Sequence, residues 1–152
     1  ESLGSEAASS LERRVAVFSR GCVDLNPVRT DNRMHAWEWL VSGGRILKLD
    51  AVDHCEAHDL VGCQDIAWDI AGAIVEHRLT SAEVQGLCGR LRREGVRVRR
   101  RAVKALYPCY LAFQLGQWST AVPAGGRGAD LARGYALALD RYLNDCPPDA
   151  AG

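Results

Sequence analysis

The sequence predicts an α+β fold dominated by helices, in which a short β-hairpin is followed by about four helices. Two apolar runs, WEWLV and RILKL, flank the turn sequence SGG, which is the pattern of an antiparallel hairpin. Beyond residue 65 the apolar residues recur at helical spacing, and capping, glycine and proline signals divide this part of the chain into segments. With 152 residues, 47% of them hydrophobic, the chain is long enough to bury a core.

The residues before the hairpin carry weaker signals. Residues 1–11 are small and polar, which is typical of a linker. The run RRVAVFS at 13–19 alternates enough to predict a short strand. The following DLNPVRTDN contains proline and several Asn/Asp turn residues, so we expect a loop. We therefore divide the chain into an N-terminal segment, 1–29, with at most a remnant strand, and a main domain, 30–152.

Local signals set the limits of the four helices. The second is the clearest, because TSAE forms a capping box with Thr80 as N-cap and Glu83 at N3. Gly95 then provides a stop signal. The four helices are expected near residues 66–77, 80–93, 99–121 and 129–144.

The charges balance overall but are unevenly distributed. Nineteen basic and nineteen acidic residues give no net charge, so nothing global indicates a nucleic-acid partner. Acids crowd residues 50–76, whereas residues 90–104 hold eight basic residues and one Glu. This basic stretch lacks interleaved aromatic residues, which favours a solvated helix–loop–helix surface over a nucleic-acid site.

Hydropathy and cysteine usage indicate a cytoplasmic protein. No segment approaches the roughly 20 apolar residues of a membrane helix, so we expect no membrane partner. The six cysteines include no CxxC pair, and Cys88 and Cys109 lie in half-apolar helical patterns. This arrangement favours reduced core thiols over disulfides.

Two carboxylates near the hairpin are candidate metal ligands. Asp50 directly follows the second apolar run, and Glu38 lies in the first. With a three-residue turn the two would be directly opposed, about 5 Å apart at Cβ, whereas a two- or four-residue turn would place them on opposite faces. Such a pair suits Mg²⁺, which takes one or two carboxylates together with substrate phosphates. The alternative is that Glu38 is a solvated strand residue.

Other polar residues of the acidic stretch have structural explanations. His54 and His58, near Asp53 and Cys55, have a spacing that could hold Zn²⁺, but without the helix and glutamate of a metalloprotease the signal is weak and we do not expect zinc. Asp65 precedes a predicted helix, where a carboxylate caps exposed N–H groups.

At these residues the sequence resembles the C-terminal lobe of the aminoglycoside phosphotransferase and choline kinase group of kinase-like enzymes. In that group a catalytic loop HGDxHxxN precedes a short hairpin, a metal-binding aspartate in IDF or IDW follows, and a segment like GDPAYDLA opens a helix. Here DNRMHAWEWL, LKLDAV and QDIAWDIA stand in the corresponding places, over about residues 30–75.

The resemblance implies a role for four residues. Asp50 matches the Mg²⁺-binding aspartate, and Glu38 stands where the group has its metal-binding asparagine. Asp69 matches the aspartate of DLA, which supports the backbone of the catalytic loop. His35 matches the second histidine of that loop.

The departures concern the catalytic base and the nucleotide. Arg33 stands where the group has its base aspartate, and Arg cannot accept a proton from a hydroxyl. Asp31, two residues upstream, is our candidate base if the loop is rebuilt. A lobe that clamps ATP cannot fit before residue 30, and no GxGxxG is present.

We therefore expect part of a kinase-like phosphotransferase. The parent protein would transfer phosphate from ATP or another nucleoside triphosphate to a small-molecule hydroxyl with the help of Mg²⁺. Its N-terminal lobe would be the missing partner, and the isolated chain is expected to be inactive. One alternative is a non-catalytic kinase-like scaffold, which Arg33 favours. The other, which we expect less, is a zinc-stabilised helical module built on His54 and His58.

Overall fold

The computed structural model describes residues 4–20, 24–49, 61–120 and 126–145, and helices dominate them. A helix precedes the hairpin and four helices follow it, so the predicted helix-dominated α+β class is confirmed. The helices are α1 (Ser5–Arg20), α2 (Ala67–His77), α3 (Ser81–Arg93), α4 (Arg100–Thr120) and α5 (Arg127–Asp145). The strands are β1 (Trp39–Ser42) and β2 (Arg45–Lys48), and a 3₁₀ turn, Ala36–Glu38, leads into β1.

Helix α1 covers Ser5–Arg20, so the short strand predicted at 13–19 is wrong, and most of the small polar residues before it are helical. The alternation seen at 13–19 is part of a longer pattern, in which Leu11, Val15 and Phe18 recur at spacings of four and three. That spacing is helical, and a window of seven residues is too short to distinguish it from a period of two.

The hairpin closes with a two-residue turn. Ser42 pairs with Arg45, which leaves only Gly43 and Gly44 between the strands. Their φ angles are 56° and 71°. A two-residue turn with two positive φ angles matches the right-handed twist of the strands, and glycine adopts it without steric cost.

The register of the hairpin places Glu38 opposite Leu49. Trp39 pairs with Lys48, and the N–H of Leu49 donates to the carbonyl of Glu38 at 2.7 Å. The three-residue turn that would oppose Glu38 and Asp50 is therefore not formed. Asp50 itself lies outside the described residues.

The elements belong to two compact units. One comprises Asp24–Tyr107, and the other comprises Glu1–Val23 with Pro108–Gly152. In the second unit α1 packs on α5. In the first unit the buried apolar side chains centre on the start of α2 and of α4, and are Ala67, Trp68, Ile70, Ala71, Ala102 and Leu106. All the candidate site residues in the described part of the chain belong to this first unit.

The predicted capping box of α3 is confirmed. The N–H of Glu83 donates to Thr80 Oγ1 at 3.3 Å, and the N–H of Thr80 donates to Glu83 Oε2 at 2.7 Å. The backbone and side-chain hydrogen bonds from Thr80 lower the pKa of Glu83. Gly95 follows the helix with φ 81°, as its predicted role as a stop requires.

Two further expectations can be compared with the structure. Among the helices of the described ranges, none is both long and apolar enough to cross a bilayer. Cys88 and Cys109 are free thiols of intermediate burial, and burial raises the pKa of Cys109.

The capping box provides a test of the fold. Replacing Thr80→Ala removes the acceptor of the Glu83 N–H, and we expect a loss of about 1 kcal/mol in the free energy of unfolding. Urea denaturation followed by circular dichroism measures it. Ser81→Ala is the control, because the neighbouring hydroxyl takes no part in the capping box, and an equal loss in both variants would contradict this role for Thr80.

Candidate functional site

Asp69 fixes the loop before the hairpin to the first turn of α2. Its Oδ2 accepts a hydrogen bond from the N–H of Asp31, and its Oδ1 accepts one from the N–H of Asn32, both at 2.9 Å. Asn32 has φ 65°, a left-handed conformation that costs little for asparagine. Each oxygen of one buried carboxylate thus holds one of two successive backbone donors. This is the contact that the resemblance implies for Asp69.

The surroundings of Asp69 disfavour the ionised form of its carboxylate. Burial raises its pKa, and the two backbone N–H donors lower it without compensating fully. The charge of nearby Asp31 raises the pKa further, whereas Lys48 lowers it. The Asp69 carboxylate, which clamps the loop through these two N–H groups, therefore loses much of its hydration when the protein folds.

Side-chain hydrogen bonds tie the same loop to the segment before α2. Asn32 Nδ2 donates to the carbonyl of Gly62 at 3.0 Å, and the hydroxyl of Thr30 donates to Asn32 Oδ1 at 3.0 Å. Thr30 Oγ1 also accepts from the N–H of Gln64 at 3.3 Å. The N–H of Val28 donates to the carbonyl of Gln64 at 2.8 Å. The loop is thus held by both its backbone and its side chains.

Asp65 lies one residue before Ile66, which is the N-cap residue of α2. Helix α2 begins at Ala67, and Asp65 Oδ1 accepts from the N–H of that residue at 2.9 Å. Its other oxygen accepts from the N–H of Asn26 at 3.0 Å and lies 3.8 Å from Nη1 of Arg99. Asp65 therefore joins the helix start to the loop that leads to Asp31.

Lys48 brings two carboxylates together. Its Nζ lies 3.2 Å from Asp31 Oδ1 and 3.7 Å from Glu38 Oε2. The same ammonium donates to the carbonyl of Leu49 at 3.0 Å and lies 5.7 Å from the ring centroid of Trp39. The three charged side chains are only 12–14% exposed. They form a compact ionic cluster, which we call the Lys48 cluster (Asp31, Glu38, Lys48).

The Lys48 cluster contains two of the candidate site residues that the sequence singled out. Asp31 and Glu38, our candidate base and candidate metal ligand, do face one common point. The sequence reasoning missed Lys48, although it is one of only two lysines and directly precedes the acidic stretch. Asp50 lies outside the described residues, and so do His54 and His58 of the zinc alternative. Within the described ranges no three His, Cys, Asp or Glu side chains are grouped as a metal site.

Arg33 contributes its backbone to Asp31. The N–H of Arg33 donates to Asp31 Oδ1 at 3.2 Å, two residues back along the chain. This short-range bond folds the loop so that the carboxylate of Asp31 is oriented from within the loop as well as by Lys48. Asp31 thus supplies the second carboxylate of the Lys48 cluster.

His35 occupies a structural position. It is buried, its ring stacks on Trp37 at 4.4 Å between centroids, and its Nε2 lies 4.0 Å from Glu76 Oε1. Trp39 meets the ring of His77 edge-on at 6.0 Å. These contacts join the 3₁₀ turn and β1 to the C-terminal half of α2.

The hairpin exposes apolar side chains on both faces. Val41 and Ile46, which are paired across the strands, are 72% and 70% exposed. Leu40, Leu47 and Leu49 are also exposed. In the described part of the chain no third strand pairs with the hairpin. These side chains give the hairpin an exposed apolar surface.

Arg99, one of the basic residues at 90–104, is held by contacts with the start of the loop. Its Nη2 lies 3.0 Å from Asp24 Oδ2, and its Nη1 donates to the carbonyl of Asp24. Together with Arg97 and Gly95 it lines a cavity of about 330 Å³ that also reaches Asp65. This arginine therefore holds the start of the loop rather than standing free in solvent.

No protein-family model, curated protein or solved structure gives a significant match to this chain. The likeness to kinase-like enzymes consequently depends on the sequence motifs alone.

The clamp made by Asp69 is the first prediction for the site. In Asp69→Asn one oxygen is replaced by an amide donor, which leaves a buried backbone N–H without an acceptor. We expect the free energy of unfolding to fall by about 2 kcal/mol, measured by urea denaturation at neutral pH. Asp140→Asn, an exposed change on α5, is the control and should leave the midpoint unchanged. Equal stability of wild type and Asp69→Asn would contradict the clamp.

The raised pKa of Asp69 predicts a pH dependence. Because the folded-state pKa lies above the unfolded-state value, the associated stability is present below the unfolded-state pKa and is lost as the pH rises through the folded-state pKa. The stability difference between wild type and Asp69→Asn should therefore shrink as the pH rises from 4 to 7. Urea denaturation across this range measures it. A difference that grows with pH would show that the N–H donors outweigh burial.

Proposed function

We propose that this chain forms the C-terminal lobe of a kinase-like phosphotransferase. The reaction would be the Mg²⁺-dependent transfer of phosphate from a nucleoside triphosphate to the hydroxyl of a small molecule. The observation that carries the proposal is the clamp of Asp69 on the N–H groups of residues 31 and 32. It holds a loop that presents Asp31 beside Glu38, in the order of motifs that the resemblance describes.

Phosphoryl transfer requires mainly that the reacting groups be positioned and that the charge of the phosphates be neutralised. In phosphoryl transfer one carboxylate orients the attacking hydroxyl and accepts its proton, while others hold the metal that bridges the phosphates. Asp31 is the candidate for the first task, because Arg33 cannot perform it. Glu38 and Asp50 are the candidates for the second. Carboxylate oxygens are the hard ligands that Mg²⁺ prefers.

The reaction also needs a lobe that clamps the nucleotide, and we propose such a lobe as the partner of this chain. The exposed apolar surface of the hairpin, with Val41 and Ile46 at its centre, supports this part of the proposal. In the kinase-like arrangement that the motifs suggest, the hairpin follows the catalytic loop directly. A partner that covers the hairpin would therefore also close over Asp31 and Glu38.

A second candidate function is a non-catalytic kinase-like scaffold that binds a nucleotide or a protein. The observation that favours it is the ion pairing of Asp31 and Glu38 with Lys48. Oδ1 of Asp31 is already engaged by this ammonium and by the N–H of Arg33. Arg33 at the expected base position favours the same candidate.

Isothermal titration calorimetry with ATP in the presence of Mg²⁺ tests the phosphotransferase proposal. We expect binding that requires the metal and that is lost in Asp50→Ala, since that carboxylate is a proposed metal ligand. Asp140→Ala, which removes an exposed carboxylate, should bind like wild type. Binding that survives Asp50→Ala, or that is absent when the nucleotide-clamping lobe is present, would contradict the proposal. Metal-dependent binding without phosphate transfer by the full-length parent protein would favour the scaffold.

A further inference from the structure

Two adjoining cavities lie along the connection between α3 and α4. The first has a volume of about 330 Å³ and is lined by Arg97 and Arg99, among others. The second has a volume of about 250 Å³ and is lined by Arg92 and Arg97. Gly95, Val96 and Arg97 line both cavities. Three arginines therefore border one recessed part of the surface, which we call the α3–α4 cavity.

The positive charge of the α3–α4 cavity is only partly balanced. Arg99 pairs with Asp24 and lies 3.8 Å from Asp65, which is the one carboxylate among the described residues that line the cavity. The guanidinium groups of Arg92 and Arg97 make no ion pair or hydrogen bond with the described part of the chain. Gathered positive charges without counter-ions repel one another, and they attract anions to the concave surface between them.

The start of α4 adds to this positive potential. The helix begins at Arg100, directly after Arg99, and its first turn contains no acidic residue. The N-terminus of a helix carries a partial positive charge and N–H groups without intrahelical acceptors, which carboxylates usually offset. Here Arg100 and Arg101 occupy the first turn instead. An anion bound beside Arg99 would compensate both the arginines and the helix dipole.

The walls of the α3–α4 cavity indicate the class of anion. The planar fork of arginine matches the oxygens of a phosphate group and can bind two of them at once. The cavity has the size of a small-molecule site, and Val28, Ile66 and Val96 add apolar surface to it. None of the described residues that line it is aromatic, whereas single-stranded nucleic acids are usually held by stacking on aromatic rings. These features favour a small organic phosphate over a nucleic acid.

We infer that the α3–α4 cavity binds a small organic phosphate. Arg92, Arg97 and Arg99 hold the phosphate group, and the apolar lining residues contact the organic part of the molecule. The inference goes beyond the proposed function, because this site uses no member of the Lys48 cluster and needs neither Mg²⁺ nor a nucleoside triphosphate.

Calorimetric titration with phenyl phosphate, without Mg²⁺ or nucleotide, tests the inference. We expect saturable binding to one site. In Arg97→Gln the binding should weaken at least about tenfold, because the phosphate loses charge-assisted hydrogen bonds. Arg93→Gln is the matched control and should bind like wild type. It removes the same charge from an exposed arginine that lines neither cavity.

Two outcomes of this titration would overturn the inference. One is the absence of saturable binding to the wild-type chain. The other is an equal loss of affinity in Arg93→Gln and Arg97→Gln, which would reduce the effect to the net charge of the basic stretch. Both variants change exposed side chains, and circular dichroism checks that they fold.

Thermal denaturation gives a second measurement of the same site. Because a ligand that binds only the folded chain stabilises it, phenyl phosphate should raise the Tm of wild type and of Arg93→Gln with increasing concentration. The Tm of Arg97→Gln should rise much less at the same concentrations. An equal rise in all three chains would overturn the inference.

Two further probes distinguish the sources of phosphate. Inorganic phosphate should bind several-fold more weakly than phenyl phosphate, because it lacks the part that contacts the apolar lining, and equal affinities would overturn the assignment of an organic phosphate. A single-stranded oligothymidylate should bind more weakly still. If it binds more tightly than phenyl phosphate, and Arg93→Gln and Arg97→Gln weaken it equally, the basic stretch is a nucleic-acid surface and the inference fails.

Discussion

The site depends on one carboxylate that holds two successive backbone N–H groups. Asp69 is buried in the first turn of α2, and the N–H groups of Asp31 and Asn32 replace part of the water that it loses. Because α2 is packed through buried residues such as Trp68 and Ile70, the loop acquires a fixed position from the helix. The place of the Asp31 carboxylate follows from this backbone constraint.

The hairpin supplies the other half of the Lys48 cluster through its register. The two glycines of the turn fix which residues face each other, and this pairing sets Lys48 opposite Trp39 and Glu38 opposite Leu49. A turn of one more residue would reverse the side-chain faces along one strand. The meeting of Asp31, Glu38 and Lys48 therefore requires both the clamp on α2 and the two-residue turn.

Local signals predicted the helices after the hairpin well, because capping and periodicity act within a few residues. Thr80 and Glu83 define the start of α3 without tertiary contacts. For α1, the seven residues at 13–19 were too few to distinguish the period of two of a strand from the spacing of a helix. SGG permits turns of different length, so the sequence left the register open. The contact of Lys48 with Asp31 spans 17 positions, and no local pattern encodes it.

The two candidate functions differ mainly in the condition of Asp31. With Lys48 in place, Asp31 Oδ1 faces an ammonium and the N–H of Arg33. Both contacts engage the oxygen atom that would have to accept a proton from a substrate. In a phosphotransferase, Lys48 would have to leave Oδ1 of Asp31 before that oxygen could accept a proton from a substrate. In a scaffold, Lys48 would stay bound, and the carboxylates would serve only to hold the loop and hairpin together.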